Sequence, residues 1–467
     1  MPAHATDYLV VGAGASALAF ADTLLDQTDA HITLVDRRDA VGGHWNDAYP
    51  FVRLHQPSSF YGAASRALGD GRLDTEGLNA GFEELATGQE VLTHFHLLLK
   101  DRLLPSGRVT FMPMCEHADG TTVRHLQSGK VEHIEVRRKV VDARLCENQI
   151  PLTHTPSYER DNQAKMVPPN TLPQSAAGAR HFTILGGGKT AMDTIIWLLQ
   201  RGVAGARIRW VLPRDAWVIN RAFTQPGAAF FFESYGGYAS QLECLRSATS
   251  LKDLGERMEA AGLWMRLDAD VTPAVIRGAT LSAPELELLR TVHDVVRLGR
   301  VTEIHGDQIV LENGTVSSPP GTLFVDCTAS ALSRLPVEPV FQPGRIALQM
   351  IRLYQPTFST ALIAFIEGRD LDDAARNGLA APAAMTDDVA SWVQSQIVTM
   401  TNQYAWSQDA EIAGWIRTCR LDGFGRAGRD VDRTDPEVAA VFDRIKAAAI
   451  PALANMQVLV SASAPQG

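Results

Sequence analysis

The sequence predicts an α/β fold made of two parallel-sheet domains, small β-meanders and a helical C-terminal region. A buried strand that runs into a glycine-rich turn and then a helix occurs twice, with the first glycines at Gly12 and Gly186. A β-rich segment with turn residues follows each copy, and the chain from about Asp370 has the composition of helices. At 467 residues the chain is long enough for two or three domains.

The first copy has every part of a dinucleotide-binding βαβ unit. An apolar strand at 8–11 leads through Gly12, Gly14 and Ala17 into a helix, and a second strand at 31–35 ends at Asp36. The first glycine permits the sharp turn, the second lets backbone amides approach a pyrophosphate, and the small third residue lets the helix pack closely. The pyrophosphate lies at a helix N-terminus, which favours an anion, and Asp36 stands where the ribose diol is bound. The alternative is a doubly wound sheet whose turn is merely rich in glycine.

The second copy repeats this order of strand, glycine turn, helix and strand, but different residues follow its second strand. A strand at 181–185 precedes Gly186 and Gly188, a helix covers 192–200, and the next strand ends before Arg214 and Asp215. A guanidinium at this place suits a 2′-phosphate and favours NADPH over NADH, although Arg214 as a solvated turn residue is the alternative. The spacing does not fit a P-loop, because Thr183 stands where the first glycine would be.

The β-rich segments at 107–142 and 299–326 predict antiparallel meanders that interrupt the two domains before their last parallel strands. We therefore expect one discontinuous domain at 1–150 and 320–467, and a second domain at 151–319. A helical insertion is expected at about 240–297, and a linker rich in Pro, Asn, Ser and Thr at 147–179.

Composition excludes several classes of protein. The 43 basic and 53 acidic residues give a net charge of −10, which repels a nucleic-acid backbone. The five cysteines show no C-x-x-C spacing, which excludes a zinc or redox motif and favours the cytoplasm. No secretion signal, no apolar run of about 18 residues and no metal-ligand cluster are visible, so we expect neither a membrane partner nor a metal.

Four strings carry a family resemblance: VVGAGASALAF, LVDRRDAVGGHW, ILGGGKTAMD and WVLPRDAWVINR. At these motifs the sequence resembles the flavin-containing monooxygenase-like (class B) flavoproteins, which have two dinucleotide-binding domains, from roughly residue 5 to 367. The resemblance implies FAD in the first domain and NADPH in the second. The residues expected at FAD are Gly12, Gly14, Ala17, Asp36, Gly43, Trp45 and Asp326. Those expected at NADPH are Gly186, Gly188, Lys189, Thr190, Ala191 and Arg214.

The resemblance also implies a reaction. NADPH reduces the flavin, the reduced flavin forms a C4a-(hydro)peroxide with O₂, and one oxygen passes to a nitrogen, sulfur or carbonyl carbon of a small molecule. Gln56 lies near the position at which family members carry an asparagine that faces the flavin, so we expect it to steady the peroxide; the alternative is a structural amide. We expect His55 to be the second catalytic residue. His44 and His55 as acid/base groups have an alternative, which is that both are hydrogen-bonded turn residues. The aromatic residues at 230–238 either line the cleft or pack in the core.

The sequence departs from the family at three places. The family's signature before the second glycine turn is absent at 170–181, Lys189 and Thr190 replace an asparagine–serine pair, and Cys327-Thr328-Ala329 stands where Ala-Thr-Gly is usual. Two other functions therefore stay open: an NAD(P)H-dependent flavoprotein reductase or dehydrogenase without oxygenation, and a dinucleotide-binding regulator or non-redox flavoprotein. The expected partners are a small-molecule substrate and O₂, and the oligomeric state is open.

Overall fold

A computed structural model describes residues 4–144, 149–329 and 337–463 of the chain. Cys146 and the first two residues of the expected linker, Glu147 and Asn148, lie outside the described residues. The other four cysteines are free thiols.

The strands are β1 (His4–Val11), β2 (Ile32–Val35), β3 (Val109–Met112), β4 (Cys115–Asp119), β5 (Thr122–His125), β6 (Val131–Asp142), β7 (Glu159–Arg160), β8 (Met166–Val167), β9 (His181–Leu185), β10 (Ile208–Val211), β11 (Ala216–Asn220), β12 (Trp264–Met265), β13 (Val275–Leu281), β14 (Asp294–Val296), β15 (Val301–Ile304), β16 (Gln308–Leu311), β17 (Gly314–Ser317), β18 (Thr322–Asp326), β19 (Phe341–Gln342) and β20 (Arg345–Ala347). The α-helices are α1 (Ala15–Gln27), α2 (Gly88–Leu98), α3 (Leu172–Ser175), α4 (Lys189–Gln200), α5 (Phe231–Ser247), α6 (Leu251–Ala260), α7 (Ala283–Arg290), α8 (Pro356–Glu367), α9 (Asp373–Gly378), α10 (Val389–Gln408), α11 (Ala410–Thr418), α12 (Gly423–Ala427) and α13 (Pro436–Ser463).

The first sheet has the strand order β19-β20-β6-β1-β2-β3. Its pairs are parallel except β19 with β20, which form an antiparallel pair at the edge. Leu9 and Val10 of β1 are fully buried, and the apolar side of α1 packs on α8 rather than on solvent. The strand, turn, helix and strand predicted for the first copy are confirmed.

The first meander forms from β4, β5 and the N-terminal part of β6, all paired antiparallel. β6 is 12 residues long because it belongs to both the meander and the parallel sheet. The residues at 109–112, which were expected to open the meander, form β3 at the edge of the parallel sheet instead. The second meander, β15 to β17, is antiparallel as predicted.

The second sheet is parallel throughout and has the order β14-β10-β9-β18-β8. β18, an inner strand of this sheet, pairs with β9 along its whole length, so the expected domain boundary between 319 and 320 is wrong. The second domain therefore continues to Asp326, and the chain returns to the first sheet only at β19. β6 and β18 both end in an aspartate and look alike in sequence, and long-range contacts decide which sheet each strand joins.

The expected helical insertion at 240–297 is a mixed segment. It contains α5, α6 and α7, but also β14 of the second sheet and two strands of a small third sheet, ordered β12-β11-β13. After β11 the chain forms α5 and α6 and then runs back along β11 as the antiparallel strand β12. It then reverses again, so β13 pairs with the other edge of β11 in the parallel direction. The insertion thus carries a sheet of its own beside the second domain.

The C-terminal region is helical, as predicted, and α13 packs against α5 and α10. Among the aromatic residues at 230–238, Phe231 is buried and Tyr235 stacks on Phe424 with ring centroids 4.9 Å apart. Phe231 also contacts Phe442 of α13. These side chains join the insertion to the C-terminal helices, in agreement with core packing.

One helix in the described part of the chain, residues Pro436–Ala462, is long and apolar enough to cross a membrane by length and composition alone. Only 22% of its most apolar window is buried. The helix nevertheless has a packed side, since Ala448, Ala452 and Met456 are fully buried against α5 and α10.

Candidate active site

The first glycine turn joins β1 to α1. Gly12 has φ +107°, which only glycine adopts without strain, and its N–H donates to the carbonyl of Val35 at 2.7 Å. Gly14 precedes the first turn of α1 and leaves that turn without a side-chain cap. The N–H groups at this helix end are thus free to bind an anion.

A second glycine segment faces this turn. Gly43 has φ +57°, and a Cβ on it would lie 3.0 Å from Cα of Gly14. The two backbones therefore approach each other with no side chain between them. Ala17 is fully buried below the turn, so α1 lies close to β1. This geometry fits a group whose pyrophosphate contacts backbone only.

Asp36 ends β2 beside the same turn. Its carboxylate accepts the N–H of Ala13 at 2.7 Å and that of Arg38 at 2.8 Å. The side chain is 8% exposed, so the two backbone bonds fix the acceptor position next to the turn. A carboxylate held in this way retains free lone pairs for a ribose hydroxyl.

Trp45 lies in a short 3₁₀ segment that follows the second glycine segment. Its indole N–H donates to the hydroxyl of Tyr61 at 2.9 Å, and its ring stacks on His44. Burial, followed by the charge of Arg38, lowers the pKa of His44 to about 4. His44 is therefore neutral near pH 7 and is not an acid catalyst there.

The second glycine turn joins β9 to α4. Gly186 has φ +119°, and a Cβ there would lie 2.5 Å from the carbonyl oxygen of Cys327. Gly188 precedes the first turn of α4, and a Cβ on it would meet no atom within 4 Å. Ala191 is fully buried under the turn. The space in front of Gly188 is therefore open to a ligand.

Lys189 begins α4 at this open turn and pairs with Asp193 one helical turn later. The other carboxylate oxygen of Asp193 accepts the hydroxyl of Tyr49 at 2.7 Å. Burial and the charge of Asp193 raise the pKa of Tyr49 well above its ordinary value. The hydroxyl of Thr190 is also placed beside Tyr49, so the nucleotide helix of one domain contacts the other domain here.

His55 and Gln56, the expected catalytic pair, lie where the two domains meet. His55 Nδ1 accepts the N–H of Thr280 at 3.3 Å, and its carbonyl accepts Arg221 Nε at 3.2 Å. Burial and the charge of Lys189 lower the pKa of His55 to about 3. The ring is neutral at physiological pH, with Nδ1 as acceptor and Nε2 protonated. Gln56 is half-buried beside it.

Asp326 is the one expected FAD contact that the structure places elsewhere. It ends β18 in the second sheet, where its carboxylate accepts the N–H and the hydroxyl of Thr328 at 2.9 and 2.6 Å. The expectation that Asp326 belongs to the first domain is therefore wrong. Its position at the carboxyl end of β18 is level with Leu185, which precedes Gly186.

Several residues at the interface were not predicted from the sequence. Arg221 is fully buried and pairs with Glu285 at 2.8 Å, while Nη1 donates to the side chain of Asn79 at 3.1 Å. Burial lowers the pKa of Arg221, and the charge of Glu285 opposes this effect. The only sequence signal was a charged residue in an otherwise apolar stretch, as also for Asp193.

The start of α8 was also missed. α8 packs on α1, and its first turn has no side-chain cap. The buried Oε1 of Gln355, directly before it, has no hydrogen-bond partner among the described residues. An unsatisfied buried acceptor beside an open helix end is a place where a bound polar group fits.

Residues 10–56 match the family described as the NAD(P)-binding Rossmann-like domain. Over 417 residues the chain is 40% identical to "Uncharacterized protein Rv2000" of Mycobacterium tuberculosis (strain ATCC 25618 / H37Rv), covering 89% of this chain and 77% of that protein. Over 223 residues it is 26% identical to "FAD-dependent monooxygenase resA" of Aspergillus sclerotiorum, covering 44% of this chain and 36% of that protein.

Among solved structures, a cyclohexanone-bound cyclohexanone monooxygenase in the rotated conformation is similar, with a TM-score of 0.49 and 13% identity. The alignment covers 95% of this chain and 98% of that one. The Rossmann-like match and the two parallel sheets confirm the predicted fold class. Together with the fungal relative, they agree with the resemblance to flavin-containing monooxygenase-like proteins.

Proposed function

The chain belongs to the family that includes the Mycobacterium tuberculosis protein Rv2000, and we propose that it is an FAD- and NADPH-dependent monooxygenase of a small molecule. The observation that carries this proposal is the pair of glycine turns, each with an open helix N-terminus, on two domains in direct contact. A protein with one bound nucleotide needs one such turn. Two turns allow a nicotinamide and a flavin to meet at the interface.

FAD is the group that the first domain fits. The backbone of Gly12 and Gly14 would bind the pyrophosphate, Gly43 would border it, and Asp36 would accept the ribose hydroxyls. Trp45 would lie beside the isoalloxazine, fixed by its bond to Tyr61. Because Gly14 and Gly43 approach each other without side chains, no side chain of theirs would obstruct the pyrophosphate, which supports this assignment.

NADPH is the group proposed for the second domain. The open turn before α4 would bind its pyrophosphate through Gly186 and Gly188, with the cation of Lys189 and the hydroxyl of Thr190 at the helix start. Arg214 follows β10 and would approach the adenosine ribose. Ala191 permits the close packing of α4 on its sheet.

The interface residues would position the reacting groups and exclude water. Bound flavin would supply the redox chemistry: with a hydride from NADPH and a proton, one oxygen atom of O₂ would pass to the substrate and the other would leave as water. His55 is held in one tautomer by the N–H of Thr280, so it offers an N–H donor without changing charge near pH 7. Gln56 would offer an amide next to it, and the buried Arg221 closes the interface to solvent.

The test is an anaerobic titration of the purified full chain with FAD and NADPH. We expect the protein to be yellow and NADPH to bleach it, and added air with substrate should give oxygenated product. Reoxidation that yields only hydrogen peroxide would support the reductase alternative, and failure to bleach would support a non-redox flavoprotein. A colourless protein that ignores FAD would contradict the proposal.

Gly14→Val should give colourless apoprotein, since a branched side chain at this turn occupies the pyrophosphate position. The matched control is Gly178→Val, because a Cβ at Gly178 meets no atom within 4 Å and Gly178 ends a short 3₁₀ segment outside both glycine turns. Flavin absorbance after gel filtration is the measurement. Full flavin content in Gly14→Val would contradict the assignment of the FAD pyrophosphate to the first glycine turn.

We also propose that the protein works in the cytoplasm. The four described cysteines are free thiols, which is typical of a reducing compartment. Subcellular fractionation of the cells that make the protein, followed by immunodetection, tests this location.

A further inference from the structure

Two arginines from separate elements converge on one carboxylate beside the second glycine turn. Arg214, after β10, places Nη1 and Nη2 at 3.2 and 3.3 Å from the oxygens of Asp387. Arg277, on β13, places Nε at 2.7 Å from Oδ1 of the same residue, and its Nη2 contacts it too. Asp387 stands just before the first turn of α10, so this cluster joins three elements.

The cluster adjoins the nucleotide turn. A Cβ on Gly187 would lie 3.2 Å from the carbonyl oxygen of Arg214, so the backbone of Arg214 borders the turn before α4. Arg214 also follows the strand whose end approaches the adenosine ribose in dinucleotide-binding domains. The cluster thus has the position of a ribose 2′-substituent.

The acid that could oppose a 2′-phosphate is already neutralised. Asp215 follows Arg214, and a carboxylate at this place normally binds a ribose diol and rejects a phosphate. Here Asp215 is 7% exposed, and Arg297 binds both of its oxygens at 2.8 and 3.1 Å. The carboxylate of Asp215 is therefore occupied by its ion pair with Arg297.

We propose that Arg214 and Arg277 together form the binding site for the 2′-phosphate of NADPH, and that Asp387 occupies this site as an internal competitor until the nucleotide binds. A carboxylate held by two guanidinium groups has the geometry of a bound phosphate oxygen pair, with one negative charge in place of nearly two. The inference rests on the proposed function, because it assumes that NADPH binds at the second turn.

The charges make this exchange feasible. The side chains of Arg214, Arg277 and Asp387 are 34–38% exposed, and ion pairs at such exposure contribute little to stability. Burial alone would raise the pKa of Asp387, but hydrogen bonds from Arg277 and Arg214 outweigh it and lower the pKa. The competitor is therefore charged at neutral pH, and a dianionic phosphate can replace it.

The backbone around Asp387 stays in place when its side chain leaves. Ile276 N–H donates to the carbonyl of Asp387 at 3.1 Å, and the hydroxyl of Thr386 donates to the carbonyl of Ile276 at 2.7 Å. These bonds hold the start of α10 against β13 independently of the carboxylate. A side-chain rotation of Asp387 would release both arginines while these backbone bonds remain.

The test measures binding of 2′,5′-ADP and of 5′-AMP to the FAD-loaded full chain by calorimetry. We expect wild type to prefer 2′,5′-ADP. Arg277→Gln should weaken 2′,5′-ADP by about tenfold or more and leave 5′-AMP unchanged, because a charged bidentate contact is lost. Asp387→Asn should strengthen 2′,5′-ADP by up to about fivefold, the worth of an exposed ion pair.

Two controls separate recognition from folding. Arg300→Gln removes an exposed arginine of the same domain and should change neither affinity. Arg277→Lys retains the charge without the fork and should give an intermediate 2′,5′-ADP affinity, with a melting temperature close to wild type. A melting temperature that falls in step with affinity would show that Arg277 is only structural and would overturn the inference.

Failure of the 2′-phosphate site and failure of the proposed function would give different results. If wild type prefers 2′,5′-ADP but Asp387→Asn binds it no better and Arg277→Gln no worse, the competitor and the second arginine are refuted while NADPH use stands. If wild type binds both probes equally and NADPH does not bleach the flavin, the proposed function fails together with this inference.

Discussion

At the scale of single residues, the second glycine turn shows two different reasons for a glycine. Gly186 is required by the protein itself, because its φ of +119° is strained for any side chain and a Cβ would lie 2.5 Å from a backbone oxygen. Gly188 has an ordinary φ, and a Cβ there would meet nothing in the protein within 4 Å. The fold itself therefore does not require glycine at position 188, and the space in front of it is available to a ligand.

Gly186→Ala and Gly188→Ala should separate these roles. We expect Gly186→Ala to lower the free energy of unfolding by about 3 kcal/mol or more, from backbone strain and a clash with Cys327. Gly188→Ala should cost less than about 1 kcal/mol as a helix-cap change, yet weaken NADPH strongly. Urea denaturation and NADPH titration measure both effects. Equal NADPH affinity in Gly188→Ala and wild type would show that no phosphate approaches this turn.

His94 gives a pH-dependent prediction. It is 4% exposed, its Nε2 accepts the N–H of Ala63 at 3.2 Å, and Nδ1 lies 3.3 Å from the carbonyl of Ala67. Burial, followed by the charge of Arg420, lowers its pKa to about 4 from 6.5. The unfolded chain thus binds a proton that the folded chain refuses between these pH values, so stability falls as the pH drops from 6.5 toward 4.

From pH 8 to pH 5 this one group should remove about 2 kcal/mol from the free energy of unfolding. Urea denaturation at both pH values measures the loss, and His94→Gln should reduce its size. The exposed His133→Gln serves as the control and should leave the pH dependence unchanged. A wild-type stability that is flat over this range would contradict the assignment of a neutral buried His94.

At the scale of elements, α13 has two unlike sides. Met456 is fully buried against the insertion helices, whereas Val458, two residues later, is 62% exposed. The helix therefore combines a core contact with an apolar outer stripe, which explains why its composition alone reaches the threshold for a membrane span. Its packed side ties the C-terminal region to α5.

An aspartate scan of α13 should reproduce this asymmetry. Met456→Asp buries an unpaired charge and should destabilise the protein by about 4 kcal/mol. Val458→Asp should stay within about 0.5 kcal/mol of wild type, because the side chain remains in water. Chemical denaturation is the measurement. Similar losses for both variants would mean that the outer side of α13 is covered.

Helices, strands and turns could be predicted where one short stretch of sequence contained all the residues that determine the local structure. The first turn was predicted from an apolar strand, two glycines and a terminal acid, and each lies as expected. The partner of β18 was not predictable, because FVDCTA and the similar VVDA carry no information about which sheet they join. Helices were predicted throughout the insertion, but it also contains three strands, of which β12 has only two residues and β13 has seven; β13 is interrupted by Gly278 and pairs with a distant strand.

At the scale of the whole molecule, buried polar contacts join the domains. Arg221, which directly follows β11, donates to the carbonyl of His55 and to the side chain of Asn79 in the first domain, and pairs with Glu285 of α7. None of these pairings follows from local sequence, since the partners are far apart along the chain. The two nucleotide sites could be predicted singly, but their junction at Tyr49, Asp193 and Arg221 could not.

Removing one partner of this buried pair should be costly. Arg221→Met leaves Glu285 without its cation and should lower the free energy of unfolding by about 3–5 kcal/mol, and Glu285→Gln in the same chain should recover part of the loss. Lys252→Met is the control, because Lys252 pairs with Glu256 on the exposed side of α6 and its loss should cost less than about 1 kcal/mol. An equal loss of unfolding free energy in the two variants would show that the contact between Arg221 and Glu285 is not buried in solution.

The discontinuous first sheet dictates an order of events during synthesis. β20 joins β6 only after residue 347 has been made, and α8, which covers α1, comes later still. The strands β8 to β18 form an uninterrupted stretch of chain between these pieces. On the ribosome, the later-encoded domain is therefore complete while the N-terminal one still waits for its edge strand. That unfinished edge is the surface a chaperone would have to shield.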